Sequence, residues 1–436
     1  MARGAPVIAA PARPRLAPLA PAFRAAVRDR LRARAMAAGL DGLLVLAPGN
    51  VTYATGWHFS VNERPMGLWM PVDGDATLLV PQLELENAEV VPGVRVATYD
   101  EFPGEVPPVL WMIGHTGARR LGIDALEGRL VDAARARLDV LDLTDHVRPE
   151  RVVKHVPELT LIREAAHYAD LVRERLLAVG GDIIGGGGTE LDLMADCTSH
   201  ARAALVAAHG DAFQGTKVGI TASVHSGPRA ALPHGAVLAR RPQAGEPVIA
   251  GIGCSLGGYH AESGVTLVCG APSTEQRRVM QAMQDANDAT IDALARRRPC
   301  SEVNDAALAP IRAAGFGDAI RHRIGHGMGV EGHEAPWLAP GDQDADRAQH
   351  GVLVRTRHLS PRRRRLAHHR DAHRRRRRRR DSEPLPVRAC VRRARAVTLR
   401  SKEHRPCPSL PPGAIRRSPS RCSICRSRTS FSRGAC

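Results

Sequence analysis

Short apolar runs and one helical period alternate along the first 150 residues. Residues 22–40 carry apolar side chains at helical spacing, and residues 43–47 form a short apolar run typical of a strand. The segment 66–81 contains two further apolar runs on either side of Asp73-Gly74, which predicts a β-hairpin. We therefore expect an α/β domain over residues 22–150.

The pattern changes from residue 157, where long amphipathic stretches alternate with paired apolar runs. The predicted helices span residues 158–179, 189–208, 273–298 and 301–314, and the predicted strands span residues 247–253 and 264–269. Two of the helices begin at Thr189 and Ser273, each followed three residues later by an acid or amide that can cap the helix. Strand pairs flanked by helices indicate a mixed, mainly antiparallel α+β domain, which we assign to residues 151–349.

Charge separates the end of the chain from the rest. The net charge is +17, yet residues 350–436 hold 27 Arg or Lys against 4 Asp or Glu, while the other residues hold 35 against 41. This tail contains a single aromatic residue, Phe431, so it cannot bury enough apolar surface to offset the entropy of the chain. We expect residues 350–436 to be disordered, and the same of the Ala- and Pro-rich residues 1–21.

Cysteine usage and hydropathy indicate a reducing compartment. Four cysteines precede residue 350 without paired spacing, which is typical of free thiols, and the lone pair Cys422 and Cys425 is weak evidence for zinc. Residues 1–21 contain no uninterrupted apolar segment, so we expect no signal peptide. The chain also lacks the run of about 18 apolar residues that would predict a membrane span. We therefore predict a cytoplasmic protein.

Two segments concentrate side chains that can perform acid-base chemistry or bind metal. His234 lies in a Pro- and Gly-rich turn, where a scaffold usually exposes a working side chain, although a solvated or structural histidine is the commoner case. Residues 321–334 hold three His and two Glu, and glycines on both sides of His326 allow close approach of an ion or substrate. The alternative for this segment is a polar surface loop. Between the two segments, Glu262 follows a Gly-Gly turn on a strand-like piece.

Four ordered motifs resemble the creatinase, aminopeptidase P and prolidase family. They are Leu232-Pro-His234, Gly258-Tyr259 with an acid three residues later, Gly325-His326-Gly-Met-Gly and His333-Glu334-Ala-Pro336. The turn-like segment 48–56 also resembles the family's N-terminal domain, and the resemblance covers residues 23–340. It implies an α/β N-terminal domain, an α+β catalytic domain of the pita-bread fold, a peptide or small amide substrate, and the homodimer common in the family.

The resemblance assigns roles to five residues. In the metal-dependent members, carboxylate and imidazole ligands hold two divalent ions that activate a shared water molecule. By position, His326 matches the metal-binding histidine and Glu262 matches the second metal-binding acid, so manganese, cobalt or zinc is the implied cofactor. His234 and His333 match the substrate-binding and catalytic histidines, and Glu334 is expected beside them as a supporting carboxylate.

Two departures from the family pattern bear on metal binding and activity. Gly251, which has no ligand atom, occupies the position of the first metal-binding Asp, eleven residues before Glu262. After Pro340 the sequence lacks the family's Glu-Pro-Gly strand and its last metal-binding Glu. Two remaining ligands would not hold a metal pair, and creatinase itself works without metal, so a metal-free site is the alternative. We expect a truncated pita-bread domain with little or no activity.

The tail has the composition of a GC-rich gene read out of frame. The chain contains 59 Arg but only 3 Lys. Reading the codons of residues 350–359 one nucleotide later permits the sequence Met-Val-Phe-Ser-Ser-Glu-Pro-Gly-Ile-Tyr, which contains the missing motif. We interpret residues 350–436 as the product of a frameshift that removed the end of the catalytic domain.

The sequence predicts an Xaa-Pro aminopeptidase-like hydrolase that is impaired as translated. One alternative is an inactive pita-bread module that binds peptides or partner proteins, and another is a metal-independent amidinohydrolase resembling creatinase. A third alternative is nucleic-acid binding by the Arg clusters of the tail, since arginine neutralises phosphate. The tail has no interleaved aromatic residues and no recognition motif, so we do not expect this binding to be physiological.

Overall fold

Three sheets and their flanking helices make up the part of the chain that the structure describes. The computed structural model describes residues 14–102, 104–232 and 234–343, together with the backbone alone of residues 352–354 and 397–399. These residues belong to one compact unit that spans residues 1–401. Apart from those two backbone segments, the predicted tail and its proposed frameshift lie outside the described residues. Within the described part, no helix is long and apolar enough to pass through a bilayer.

The N-terminal half is built on a six-stranded mixed sheet. Its elements are α1 (Pro21–Ala37), β1 (Gly42–Val45), α2 (Pro48–Thr55), β2 (Gly67–Pro71), β3 (Thr77–Pro81), α3 (Leu85–Glu89), β4 (Arg95–Tyr99), α4 (Pro108–Thr116), β5 (Arg120–Ile123), α5 (Val131–Arg135) and β6 (Val140–Asp142). The strands lie in the order β4-β3-β2-β1-β5-β6. β1 pairs antiparallel with β2 and parallel with β5, and β2 and β3 form the predicted hairpin. The α/β character predicted for this half is confirmed.

The residues just before α1 have a defined place in the fold. The backbone N–H of Leu16 donates to Nδ1 of His209 at 3.3 Å, and the guanidinium of Arg15 donates to the carbonyl oxygen of the same histidine at 3.1 Å. This part of the N-terminus, predicted to be disordered, is therefore held against a buried histidine of the second half.

Residues 48–55 form a helix where the sequence suggested a turn. Pro48 lies in the first turn of α2, where its missing N–H costs no hydrogen bond. Gly56 follows the helix in the left-handed conformation, with φ of 79°, which glycine adopts at little steric cost. The helix places Asn50 and Tyr53 in the interior, where they contact the segment that leads into the second half.

The second half combines long helices with antiparallel strands. Its elements are α6 (Arg148–Val152), α7 (Val156–Gly185), α8 (Glu190–His209), β7 (Gly219–Ser226), β8 (Pro247–Leu256), β9 (Tyr259–Cys269), α9 (Thr274–Ala295), α10 (Cys300–Ala313), β10 (Gly325–Gly327), β11 (Glu334–Leu338), β12 (Val352–Val354) and β13 (Val397–Leu399). β7, β8 and β9 pair antiparallel in sequence order, and β10 pairs antiparallel with β11 and β12. The mainly antiparallel α+β character predicted for this half is confirmed.

The N-termini of α8 and α9 carry the predicted capping boxes. The hydroxyl of Thr189 accepts a hydrogen bond from the backbone N–H of Asp192 at 3.3 Å. The hydroxyl of Ser273 accepts from the backbone N–H of Gln276 at 3.2 Å. In both cases the side chain three residues on bonds back to the cap backbone, so backbone donors that the helix itself cannot pair are satisfied.

β8 and β9 extend beyond the apolar runs from which they were predicted. A tight turn at Gly257 and Gly258 joins them, and both glycines have positive φ, 60° and 83°. Pairing continues from this turn through the register Gly253–Glu262, so polar residues lie on the paired strands. Glu262 is therefore held on a rigid strand, as predicted.

One continuous apolar core joins the two halves. It contains buried side chains from α1, from β1 to β3, from α7 and from β7 to β9. α7 lies against β8 and β9 and contributes Leu161 and Tyr168. A second core lies between α9, α10 and β11, around Val303 and Leu338. α7 therefore supports β8 and β9, and α9 and α10 support β11.

Glu158, in the first turn of α7, is a buried carboxyl group at the contact between the halves. Its Oε1 accepts from the hydroxyl of Tyr259 at 3.0 Å, and its Oε2 accepts from the backbone N–H of His155 at 2.7 Å. Burial raises the pKa of Glu158 to about 7, although both hydrogen bonds and the cations Lys154 and Arg24 act in the opposite direction. The group therefore changes charge near neutral pH.

We expect Glu158 to make the protein less stable as pH rises. Its pKa of about 7 in the folded protein exceeds the ordinary value of 4.5. At pH values between these two, the folded state therefore binds more protons than the unfolded state. The free energy of unfolding therefore falls across that range. The free energy of unfolding should be measured by chemical denaturation from about pH 5 to about pH 8. Its decrease over this range should be smaller in Glu158→Gln than in the parent chain by on the order of 2 kcal/mol.

Glu302→Gln is the matched control for this experiment, because it removes a carboxylate whose side chain is 51% exposed. Its pH profile should follow that of the parent chain. If the profiles of the parent chain and Glu158→Gln run parallel, the assignment of a raised pKa to Glu158 is wrong.

Candidate active site

His326 lies at the centre of the short strand β10. Its register partner on β11 is Trp337, and the neighbouring Gly327 lies so close to β11 that an added Cβ would clash with the carbonyl oxygen of Ala335. Glycine at this position therefore allows the two strands to approach. The result is a histidine that is only 4% exposed, so His326 itself does not lie on the protein surface.

The hydrogen bonding of His326 defines which ring nitrogen carries the proton. Nδ1 lies 2.9 Å from the carbonyl oxygen of Gly327, which can only accept, so Nδ1 donates. Nε2 is buried and has no hydrogen-bond partner among the described residues. Burial lowers the pKa of His326 to about 4, and the nearby His333 and Arg323 act in the same direction. His326 is thus a neutral imidazole with the lone pair of Nε2 available.

His333 and Glu262 meet His326 in one cluster. The imidazole rings of His326 and His333 have centroids 3.9 Å apart, and Nε2 of His333 lies 3.8 Å from Oε1 of Glu262. One ligand atom from each of the three side chains lies within 4.8 Å of the other two. The His333 side chain is 49% exposed and that of Glu262 is 14% exposed, so the cluster is open to solvent on the His333 side.

His234 is exposed on the loop that follows β7. Burial lowers the pKa of His333, and the charges of Arg323 and His234 lower it further. The loop is attached to β7, since Nε2 of His225 donates to the carbonyl oxygen of Gly235 at 2.5 Å. The structure therefore brings the rings of His326 and His333 into contact, and His234 acts on His333 through its charge.

Glu334 is bound by two cations from the connection between the halves. Its Oε2 lies 2.6 Å from Arg151, and its Oε1 lies 2.7 Å from the ammonium of Lys154. Burial alone would raise the pKa of Glu334, but Lys154 and Arg151 outweigh burial and hold the pKa below its usual value. Glu334 thus belongs to a buried ion cluster, and its catalytic role stays a prediction.

Arg151 and Lys154 were not singled out from the sequence. Arg151 also donates to the side-chain oxygen of Asn50 on α2 at 2.6 Å and to Glu331 at 2.7 Å, so it joins the N-terminal half to the turn that carries His333. Lys154 is 1% exposed. The one available signal was that lysine is so rare in this chain, with three among 62 basic residues.

Gly251, at which the sequence departs from the family pattern, has no side-chain ligand atom. It lies on β8 opposite Gly264 of β9 and Ser223 of β7. The hydroxyl of Ser223 donates to the carbonyl oxygen of Gly251 at 3.3 Å. The donors gathered in the described site are therefore two imidazoles and one carboxylate.

Comparison with known proteins places this geometry in context. Residues 160–355 match metallopeptidase family M24, and residues 28–177 match the creatinase/prolidase N-terminal domain. The chain is 27% identical to the Xaa-Pro dipeptidase of Pyrococcus furiosus over 309 residues, which covers 70% of this chain and 82% of the relative. It is 30% identical to the probable dipeptidase PepE of Mycobacterium tuberculosis over 314 residues, which covers 70% of this chain and 80% of the relative.

A solved structure gives the same result for the fold. The crystal structure of dipeptidase PepE from Mycobacterium ulcerans matches with a TM-score of 0.64 at 26% identity. The match covers 77% of this chain and 88% of that one. Both halves of this chain are therefore shared with that structure.

Replacing Arg151 should destabilise the fold strongly. Arg151→Met leaves two carboxylates, Glu331 and Glu334, without their shared cation, and Glu334 is buried. Removing one partner of a buried ion pair typically costs about 3–5 kcal/mol, and here Lys154 alone is left to compensate the buried charge of Glu334. The free energy of unfolding measured in urea should fall by an amount in this range.

Arg296→Met is the matched control, since Arg296 pairs with Asp292 at 2.8 Å with both side chains at least 60% exposed. It should change the free energy of unfolding little, as exposed pairs do. Equal effects of the two substitutions would show that the Arg151 cluster does not stabilise the fold.

Proposed function

Because the chain belongs to metallopeptidase family M24, the family of creatinases, aminopeptidases P and prolidases, we propose that this prolidase-like peptidase cleaves the bond before proline in short peptides. We further propose that its turnover is impaired as translated. The observation that carries the proposal is the meeting of His326 and His333 with Glu262 in one cluster, which is open to solvent at His333.

The coarser parts of the earlier prediction are confirmed. The two matched ranges confirm the family and a hydrolase, and the likeness to solved dipeptidase structures confirms the pita-bread catalytic domain with its N-terminal domain. The finer part is the substrate. Relatives from Pyrococcus and Lactobacillus are named Xaa-Pro dipeptidases, which favours dipeptides over the longer peptides of the predicted aminopeptidase.

The side chains of the cluster divide the work of binding and hydrolysis in this proposal. His234, which is exposed, is suited to contact the peptide and to donate a hydrogen bond to the oxyanion that develops during hydrolysis. His326, buried and neutral, presents the lone pair of Nε2. A divalent ion held by such donors supplies a bound water of lowered pKa. Glu262 provides the negative charge that a cation requires.

The proposed impairment follows from the donors that this chain offers. Gly251 replaces a carboxylate with a position that has no ligand atom. The late acids of the family would follow residue 340, where this sequence lacks the motif and residues 344–351 lie outside the described residues. The frameshift interpretation of residues 350–436 accounts for that loss and stays a prediction.

A direct assay tests the proposal. The chain as translated and a version with the reading frame restored should be compared on an Xaa-Pro dipeptide, an Xaa-Pro-Yaa tripeptide and an Xaa-Ala dipeptide, with manganese, cobalt or zinc added. We expect the restored version to cleave the Xaa-Pro dipeptide more than about 100-fold faster than the translated chain. This difference exceeds the loss of activity that follows when only outer-shell partners of a metal are removed.

His234 provides the internal test in the restored version. His234→Ala should lower kcat on the Xaa-Pro dipeptide, whereas His200→Ala, on the exposed face of α8, should leave it unchanged. Equal turnover by the translated and restored chains would contradict the proposed impairment. A restored chain that binds Xaa-Pro peptides without cleaving them would instead favour the inactive binding module.

A further inference from the structure

We propose that Glu190 is the residue that positions His234, because its buried carboxylate holds together the two limbs of the loop at residues 227–238, which we call the His234 loop. The inference rests on the proposed function, which gives His234 its part in peptide binding and hydrolysis. The contacts of Glu190 in the described part of the chain are with the loop and with the strand that leads into it. Its effect on the reaction therefore passes through the loop.

Glu190 is the first residue of α8, and its side chain is fully buried. Its Oε1 accepts hydrogen bonds from the backbone N–H of Ser226 at 2.8 Å and from the hydroxyl of the same residue at 2.7 Å. Its Oε2 accepts from the guanidinium of Arg229 at 2.6 Å and from the backbone N–H of Leu238 at 3.1 Å. One carboxylate thus connects the residue before the loop, the first turn of the loop and its last residue.

The partners of Glu190 all donate, which selects an ionised carboxylate at this position. A carboxylate accepts on both oxygens, whereas the amide of glutamine would direct an N–H group at the donors. Burial raises the pKa of Glu190, but the hydrogen bonds from Ser226 and Arg229 act in the opposite direction and hold the pKa below its usual value. Without the carboxylate these donors would lose their acceptor, a cost that the loop can reduce only by moving.

The returning limb of the loop is held directly after His234. The buried His225 of β7 donates from Nε2 to the carbonyl oxygen of Gly235 at 2.5 Å. The guanidinium of Arg229 donates to the carbonyl oxygen of Ala236. The group that pairs with the buried carboxylate therefore also bonds to the chain two positions after His234.

A second ion pair fixes the start of the loop. Arg240 pairs with Glu246 at 2.6 Å and donates to the hydroxyl oxygen of Ser226 at 2.5 Å. The same hydroxyl donates to Glu190, so it lies between two charged pairs. Gly227 follows with φ of 58°, and an added Cβ there would clash with the Glu246 carboxylate. The end of β7 cannot shift without breaking contacts to both pairs.

His234 depends on this anchoring because its own side chain is exposed and has little packing to fix it. A misplacement of about 1 Å in a group that acts on the substrate can cost on the order of 100-fold in rate. The hydrogen bonds to Glu190 supply the rigidity that an exposed imidazole lacks. Glu190 is therefore a positioning residue, since it touches neither the substrate nor the imidazole that it positions.

Amide hydrogen exchange in the full chain tests the anchoring without reference to activity. The N–H of Leu238 is the readout, because its hydrogen-bond acceptor is the carboxylate itself. In Glu190→Gln we expect this amide to exchange at least about tenfold faster than in the parent chain, because local opening becomes easier. Arg229→Gln removes a partner whose side chain is 21% exposed, so this variant is expected to fold, and it should raise the exchange rate in the same direction.

Glu275→Gln is the matched control, since Glu275 lies in the first turn of α9, which begins with the same kind of capping box. Both substitutions remove an acid from a helix N-terminus, where negative charge is favourable. The control should leave the exchange of Leu238 unchanged. Equal exchange of this amide in the parent chain, Glu190→Gln and Arg229→Gln would overturn the proposal.

A double-mutant cycle in the restored version separates positioning of His234 from general support of the fold. Alone, Glu190→Gln should lower kcat on the Xaa-Pro dipeptide by about tenfold or more, with a smaller change in KM. In the His234→Ala background it should lower kcat by less than about twofold, because the residue that it positions is gone. An equal loss in both backgrounds would show that Glu190 supports the fold and does not act through His234.

The result is separable from the proposed function. Faster exchange of the Leu238 amide in Glu190→Gln, together with a restored chain that does not cleave Xaa-Pro peptides, would refute the peptidase assignment and leave the anchoring of the His234 loop standing. Cleavage by the restored chain with unchanged exchange in Glu190→Gln would do the reverse.

Discussion

The ion cluster of Glu334 with Arg151 and Lys154 is the constraint on which the position of the site depends. These charges are buried, and a buried charge is tolerated only when it is paired. The pairing fixes the start of β11 against the connection between the halves, and Asn50 extends the contact to α2. His333 precedes Glu334 directly, so the cluster also fixes the backbone from which the exposed imidazole projects. The candidate catalytic residue His333 and the anchoring residue Glu334 are thus adjacent in the sequence but have different partners.

Close approach of backbones is the second requirement, and glycine meets it. Gly327 lets β10 lie against β11, and a Cβ on Gly329 would meet the Glu334 carboxylate and the Lys154 side chain. The glycines around His326 therefore do two things at once. They bury the imidazole among strands, and they leave room for the charged side chains of Glu334 and Lys154, which anchor β11. Larger residues at either position would separate the strands and open the pocket to water, which competes for the lone pair of His326.

The sequence predicted the local features well because local rules determine them. The hairpin of β2 and β3 and the caps at Thr189 and Ser273 followed from spacing within a short segment. The choice of His326 and His333 followed from the resemblance of their segment to a family motif, and their roles stay a prediction. The partners of Glu334 did not, since Arg151 lies 183 residues earlier and only the tertiary fold brings the two together. The length of β9 was missed for another reason. Polar residues such as Glu262 interrupt its apolar pattern at the place where the strand faces the site.

The fold and the chemistry of this chain depend on different residues, so one can persist when the other is reduced. The continuous core and the buried ion cluster hold the two halves together without any contribution from Gly251. An aspartate at that position would add a charge to the sheet interior that only a cation could compensate. The fold therefore does not require a carboxylate at Gly251, and the sheet is paired on both sides of this residue. Family membership consequently establishes the scaffold, whereas the number of ions bound must follow from the donors that remain.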